Sequence, residues 1–160
     1  MKILICGNYG ARNLGDELIL KGLIKMLRSI SDIRITVMSA NPTETRSLHS
    51  ISSVRILPTG IRSRLKSIFT HDKKQTQQAI SEADYILFGG GQLFNEDEPY
   101  SIYLWGIHAR AFQKLRKKYI IIGQSFSKLT KKYSKKIVER AVNNAQEVFV
   151  RDEESRNILH

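Results

Sequence analysis

Two neighbouring carboxylates, Asp16 and Glu17, close a stretch dense in glycine and asparagine that includes Gly7, Asn8, Tyr9, Gly10, Asn13 and Gly15. Further along, Gly89, Gly90 and Gly91 stand in a row, with Gln92 behind them and the acidic run Asn95, Glu96, Asp97 and Glu98 close by. Glycine tolerates positive φ and leaves its N–H bare of a side chain, so a glycine run can bring backbone donors close to a ligand. One glycine usually suffices for a tight strand-to-loop turn, so three in succession favour the ligand reading. The two acids also have a structural reading. Asp and Glu suit the first turn of a helix, and Asp can cap its free N–H groups. Two further polar stretches complete the set: Gln124 with Ser125, Phe126 and Ser127, and Arg151 with Asp152, Glu153, Glu154 and Ser155.

Each of these stretches follows an apolar run. Residues 2–6 read as a strand apolar on both faces, and Leu20, Leu23, Ile24, Leu27 and Ile30 then recur at helical spacing. Strand, glycine-rich turn and amphipathic helix make the first half of a parallel βαβ unit. Further strands are expected at 34–39, 54–57, 84–88, 119–123 and 147–150, and helices at 72–82, 100–115 and 131–143. A short helix is expected after Pro42, with Thr43 as its cap, and mobile, exposed structure over 61–74. The alternation predicts an α/β, doubly wound, Rossmann-like parallel sheet of five to seven strands, with the strands at 2–6 and 84–88 central and adjacent. Right-handed crossovers bring the ends of four strands to one edge, where ligands bind in such folds. His108, on or beside the apolar face of its helix, reads as a packing histidine.

At 160 residues the chain is expected to form a single domain spanning 1–160, and 41% hydrophobic residues are enough for a core. No window approaches the roughly 20 apolar residues of a membrane span, and with a strand beginning at residue 2 no leader is expected. Cys6 is the one cysteine, so no internal disulfide can form; a packed thiol in a cytoplasmic protein is expected. The net charge is +11, gathered over 62–74 and 114–136. Such patches can meet nucleic acid, an anionic membrane surface or a phosphorylated substrate, or simply solvate helix faces. No nucleic-acid-binding motif accompanies them. There is no G-x-G-x-x-G with its distal acid, no phosphate-binding P-loop, no zinc spacing and no G-x-S-x-G. No metal and no cofactor are expected.

Four segments together resemble the polysaccharide pyruvyl transferase family. The G-x-x-G and N-x-G-D-E loop is matched by Gly7–Gly10 and Asn13–Glu17, and the strand ending in G-G-G-x-L by residues 84–93. Gly123 and Gln124 stand where the family has a G-Q or Q-G turn, and R-D-E-x-S is matched by Arg151–Ser155. The chain departs from the pattern after Gln124, where Ser125-Phe126-Ser127-Lys128 replaces a small Gly/Pro turn. The resemblance implies one half of a two-domain architecture similar to B-type glycosyltransferases, with the C-terminal domain lying outside this chain. It implies transfer of a pyruvyl group from phosphoenolpyruvate to a sugar, free or lipid-linked, to form a ketal. On that reading Asp16 or Glu17 is the base. Gly7, Asn8, Tyr9, Asn13, Gly15, Gly89, Gly90, Gly91, Gln92 and Gln124 line the substrate cleft. Arg151 either holds an anion or pairs with Asp152 or Glu153.

Two other readings remain at this stage: a non-catalytic sugar- or nucleotide-binding domain working with a partner chain, and a nucleotide-binding Rossmann domain with a divergent loop. A homodimer, or pairing with a second domain through an apolar patch near Leu93, Phe94 and Phe126, is a further expectation. So is membrane-surface association through the basic helices.

Overall fold

Strand β1 (Lys2–Cys6) has a parallel neighbour on each side, β2 (Arg34–Ser39) and β4 (Tyr85–Gly91), with Ile5 opposite both Val37 and Leu87. In this computed structural model, which describes residues 1–58 and 71–159, the other strands are β3 (Ser52–Arg55), β5 (Tyr119–Gln124) and β6 (Glu147–Val150). They form one parallel sheet in the order β3-β2-β1-β4-β5-β6. The helices are α1 (Leu14–Arg28), α2 (Pro42–His49), α3 (His71–Glu82), α4 (Pro99–Lys114), α5 (Lys132–Asn143) and α6 (Glu153–Leu159). The chain winds outward from β1 to β3, returns to β4 beside β1, and winds outward again. The β1–β4 boundary is therefore the topological switch point of a Rossmann-like sheet.

Because side chains alternate across a strand, β1 serves two cores. Leu4 and Cys6 face one side, with Ile80 of α3, Trp105, Ala109 and Phe112 of α4, and Val138 and Ala141 of α5. Ile3 and Ile5 face the other, with Leu20, Ile24 and Leu27 of α1. Phe88 is the hub of the first core and meets Phe94, Phe112 and Tyr119 edge to face. Cys6 is fully buried, and burial pushes its thiol well above the usual range, so it is a packing residue.

Several expected boundaries move. Strand β3 begins at Ser52 and not Val54, because Ser53 satisfies its hydroxyl on the Val37 carbonyl, 3.0 Å away, and so can pair while buried. Asn41, not Thr43, caps α2 by accepting from the Glu44 N–H. Helix α1 stops at Arg28, which leaves Ile30 exposed. Tyr103 and Leu115, in and just past α4, are also exposed. The expectation of mobility over 61–74 falls on residues 61–70, outside the described ones, and on α3. Thr76 anchors α3 by donating to the Arg55 carbonyl at 2.7 Å. Leu93, Phe94 and Phe126 form no exposed patch. All three are buried, and the rings of Phe94 and Phe126 stack with centroids 6.0 Å apart.

His108 is buried with both ring nitrogens engaged. Nε2 accepts from the Leu57 N–H at 3.0 Å, and Nδ1 lies 2.8 Å from the Leu104 carbonyl. A neutral ring protonated on Nδ1 meets both contacts. Burial lowers its pKa to about 4.

Candidate active site at the switch point

Asn13 stands at the start of the helix that carries the two acids. Its side chain caps α1, accepting from Gly15 N at 2.9 Å and Asp16 N at 3.3 Å. The cap expected of Asp16 is thus already supplied, and the Asp16 carboxylate is left for other work. Its Oδ2 accepts from Asn8 Nδ2 at 2.8 Å. Its Oδ1 stands 2.8 Å from the point where a side chain on Gly91 would begin. Burial raises the Asp16 pKa; the Asn8 hydrogen bond opposes the rise and the neighbouring Glu17 adds to it. A carboxylate with a raised pKa is a better proton acceptor than an exposed one.

Glu17 turns the other way, since adjacent helical residues project about 100° apart. Its Oε1 accepts from the Gly10 N–H at 2.7 Å, and its Oε2 pairs with His49 Nε2 at 2.7 Å. Glu17 therefore fastens the loop to α2, and both its oxygens are occupied. Of the two acids expected as base, Asp16 lines the cleft and Glu17 does not.

The glycine run corrects a second expectation. Gly89, Gly90 and Gly91 are the last residues of β4, not a loop beyond it, and they have φ of 140°, 95° and 83°. Gly89 and Gly90 face protein. A side chain on Gly90 would begin 2.7 Å from Ile19 Cγ2 and 3.0 Å from the Tyr9 hydroxyl. Tyr9 is itself buried and donates to the Gly89 carbonyl at 2.7 Å. Gly7 is buried against the same carbonyl. The close approach that the glycines allow is that of the β1 loop onto β4. Gly7, Tyr9, Gly89 and Gly90 thus build the wall, and of the run only Gly91 lies beside the Asp16 carboxylate.

In front of that wall is a cleft of about 590 Å³. Asn8, Asn13 and Asp16 enter from the β1 side, Gln92, Asn95 and Glu98 from the β4–α4 loop, and Tyr100, Ser101 and Trp105 from α4. Among the described residues, no Lys or Arg lines it. Four of the residues expected at the site, Asn8, Asn13, Asp16 and Gln92, converge here; Gly15 serves the cap. The α4 contribution was missed. Its signal was the helix start directly after the acidic loop, at the same sheet edge. Another hollow, about 400 Å³, lies at the opposite edge by Lys2, Arg34 and Glu82. Strand direction favours the carboxyl edge for ligand.

Gln124 and Arg151 do not line the cleft. Gln124 is fully buried; its Nε2 donates to the Ser125 carbonyl, and its Oε1 has no partner. Arg151 is exposed, with Nε 3.5 Å from Asp152 Oδ2. Asp152 accepts from Ser155 N at 2.9 Å and from the Ser125 hydroxyl at 3.1 Å, while Ser155 Oγ accepts from Phe126 N at 2.8 Å. The Arg-Asp-Glu-x-Ser segment therefore stitches the end of β6 to the end of β5. Hydrogen bonds from the Ser155 side chain and N–H, with smaller contributions from Ser125 and Arg151, hold Asp152 down to about 2.

Glu96 makes a comparable tie that the sequence reading overlooked. It accepts from Thr130 N and Lys131 N ahead of α5, whose own cap residue, Lys131, offers no side-chain acceptor. The Thr130 N–H leads the interactions that lower Glu96 to about 2. Among the described residues, no group of three or more His, Cys, Asp and Glu side chains could hold a metal ion, and no helix is long and apolar enough to cross a membrane.

The family model described as Polysaccharide pyruvyl transferase matches residues 13–160. No curated protein sequence matches the chain significantly. Among solved structures, the chain resembles a protein described as a UDP-N-acetylglucosamine 2-epimerase from Listeria monocytogenes. The TM-score is 0.57 at 10% identity, over 99% of this chain and 41% of that one. It also resembles the TrkA-N domain of the inner membrane protein YbaL from Escherichia coli. There the TM-score is 0.50 at 15% identity, over 99% of this chain and 93% of that domain. At such identities these two likenesses speak to the fold alone.

Proposed function

This chain belongs to the polysaccharide pyruvyl transferase family, and from that premise we propose that it forms the acceptor-sugar half of an enzyme that transfers pyruvyl from phosphoenolpyruvate to a saccharide. The observation that carries the reading is the lining of the cleft. One nearly buried carboxylate with a raised pKa sits among the amides of Asn8, Asn13, Gln92 and Asn95, beside Tyr100 and Trp105, with no cation among the described residues. Amides and carboxylates suit sugar hydroxyls, which donate and accept, and the exposed ring of Tyr100 suits the apolar face of a sugar. A phosphate and a carboxylate on one small donor call for cations or clustered N–H groups. The donor's anionic groups therefore fall to a second domain across the cleft, in a two-domain architecture similar to B-type glycosyltransferases.

In that arrangement one sugar hydroxyl adds to C2 of phosphoenolpyruvate as the methylene carbon takes up a proton. A second hydroxyl then displaces phosphate and closes the cyclic ketal. Asp16 accepts the proton of the attacking hydroxyl, and Asn8 orients the carboxylate. The test is phosphate release from phosphoenolpyruvate, with and without saccharide acceptors, by the protein that carries this chain. Saccharide-dependent release that falls at least about 100-fold in Asp16→Asn supports the reading. Saccharide binding without any release, or an unaffected variant, rules out Asp16 as base.

A further inference from the structure

We propose that the outer face of α4 and α5 docks on an anionic phospholipid bilayer. Residues 99–144 hold eleven Lys and Arg and a single acid, Glu139. On α5, Lys132, Lys135, Lys136 and Arg140 are exposed, and none of their side chains makes a hydrogen bond or ion pair among the described residues. Charge left unneutralised on one face attracts a negatively charged partner. The same face repels a second copy of itself, which excludes an isologous dimer built on it.

What selects a bilayer is the hollow between the cations. A groove of about 300 Å³ runs between α4 and α5, with Ile137 in it and Arg110, Lys136 and Arg140 at its border. Tyr103 and Tyr133 flank it and remain 47% and 49% exposed. Cations beside an apolar hollow with half-exposed tyrosines match a surface that offers phosphates and, just beneath them, glycerol and acyl carbon. A nucleic-acid backbone needs the cations but gains nothing from the apolar floor. Helix α4 borders both hollows, so docking would leave the carboxyl-edge cleft open at the membrane margin, within reach of a saccharide carried on lipid.

The test is sedimentation of the chain with phosphatidylcholine vesicles, with and without phosphatidylglycerol. Binding is expected only to the anionic vesicles and should weaken as salt rises. The triple variant Lys132→Gln, Lys135→Gln, Lys136→Gln should bind about 100-fold more weakly, from about fivefold per cation. Circular dichroism confirms that it is folded, and Lys136→Gln alone gives a readable shift should the triple variant not fold. Tyr103→Ser with Tyr133→Ser should remove the part of binding that survives high salt. Equal binding to neutral and anionic vesicles, or no effect of the lysine variants, overturns the proposal. So does tighter binding to a DNA or RNA oligonucleotide that the same triple variant abolishes, which would make the partner a nucleic acid.

Discussion

Helix α4 borders two hollows. Tyr100, Ser101 and Trp105 face the cleft, while Tyr103, Ile107, Arg110 and Gln113 face the groove shared with α5. Among the described residues, the cleft holds two acids, Asp16 and Glu98, several amides and no cation, while the groove is bordered by cations and has no acid. They also differ in how they join the fold. Asp16 is tied to Asn8, and the wall behind it is closed by Tyr9 on Gly89 and by backbone contact between Gly7 and β4. The side chains of Arg110, Lys136 and Arg140 at the groove make no hydrogen bond or ion pair among the described residues. The cleft is thus continuous with the core, and the groove is laid on top of it. Substitutions at the first should affect activity or folding, and substitutions at the second should affect association alone.

The largest effect is expected from Asp16→Asn, a loss of at least about 100-fold in turnover by the protein that carries this chain. Stability at neutral pH should hold or rise. A carboxyl whose folded pKa is raised binds its proton more tightly when folded, so ionising it above that pKa disfavours the fold. A urea titration of both forms at pH 7 checks this. For the same reason, the acid limb of the rate profile should lie above the ordinary aspartate range. Asn8→Ala, which removes the opposing hydrogen bond, should move it further up.

Gly90→Val comes next. Positive φ and the nearness of Ile19 and Tyr9 should together cost about 2–4 kcal/mol in a denaturant titration. A full-stability variant that had lost only ligand binding would return Gly90 to the cleft and weaken the contrast. His108→Leu should cost about 1–3 kcal/mol by orphaning the Leu57 N–H. It should also remove a pH slope. His108 prefers to be neutral in the fold, so its contribution is full above about pH 6.5 and is lost as pH falls through about 4. Glu96 adds a later acid step. Its contribution is present above about 4.5 and lost as pH falls through about 2, and Glu96→Gln should flatten thermal stability across that window. The smallest effect is expected from the three α5 lysine substitutions, within about 0.5 kcal/mol in the same titration. A larger loss would mean that the groove is structural after all.

The order of the elements was legible because β1, β4 and β5 are nearly continuous apolar runs and each is followed by a break. β3 was misplaced because its ladder begins on Ser52 and Ser53, whose fitness for a strand depends on an acceptor in β2 that local pattern does not show. The Asn8, Asn13, Asp16 and Gln92 part of the cleft was legible from topology, since all four follow central strands. The glycine run was misjudged because sequence reveals freedom of φ but not what fills the space it opens, here Tyr9 and Ile19. Asp16 and Glu17 look equivalent as letters. Helical geometry alone separates them, and it required knowing that the cap was Asn13.

Trp105 is the sole tryptophan of the chain, 2% exposed, at the border of the cleft and with its ring centroid 5.2 Å from that of His108. The molecule therefore carries its own optical probe. Its emission should be that of an indole screened from water and should change when a ligand fills the cleft. It should be quenched as His108 gains a proton, because imidazolium accepts excited-state electron density more readily than the neutral ring. A single fluorescence channel can then follow occupancy of the cleft at neutral pH and the loosening of the β3–α4 junction in acid, without any label.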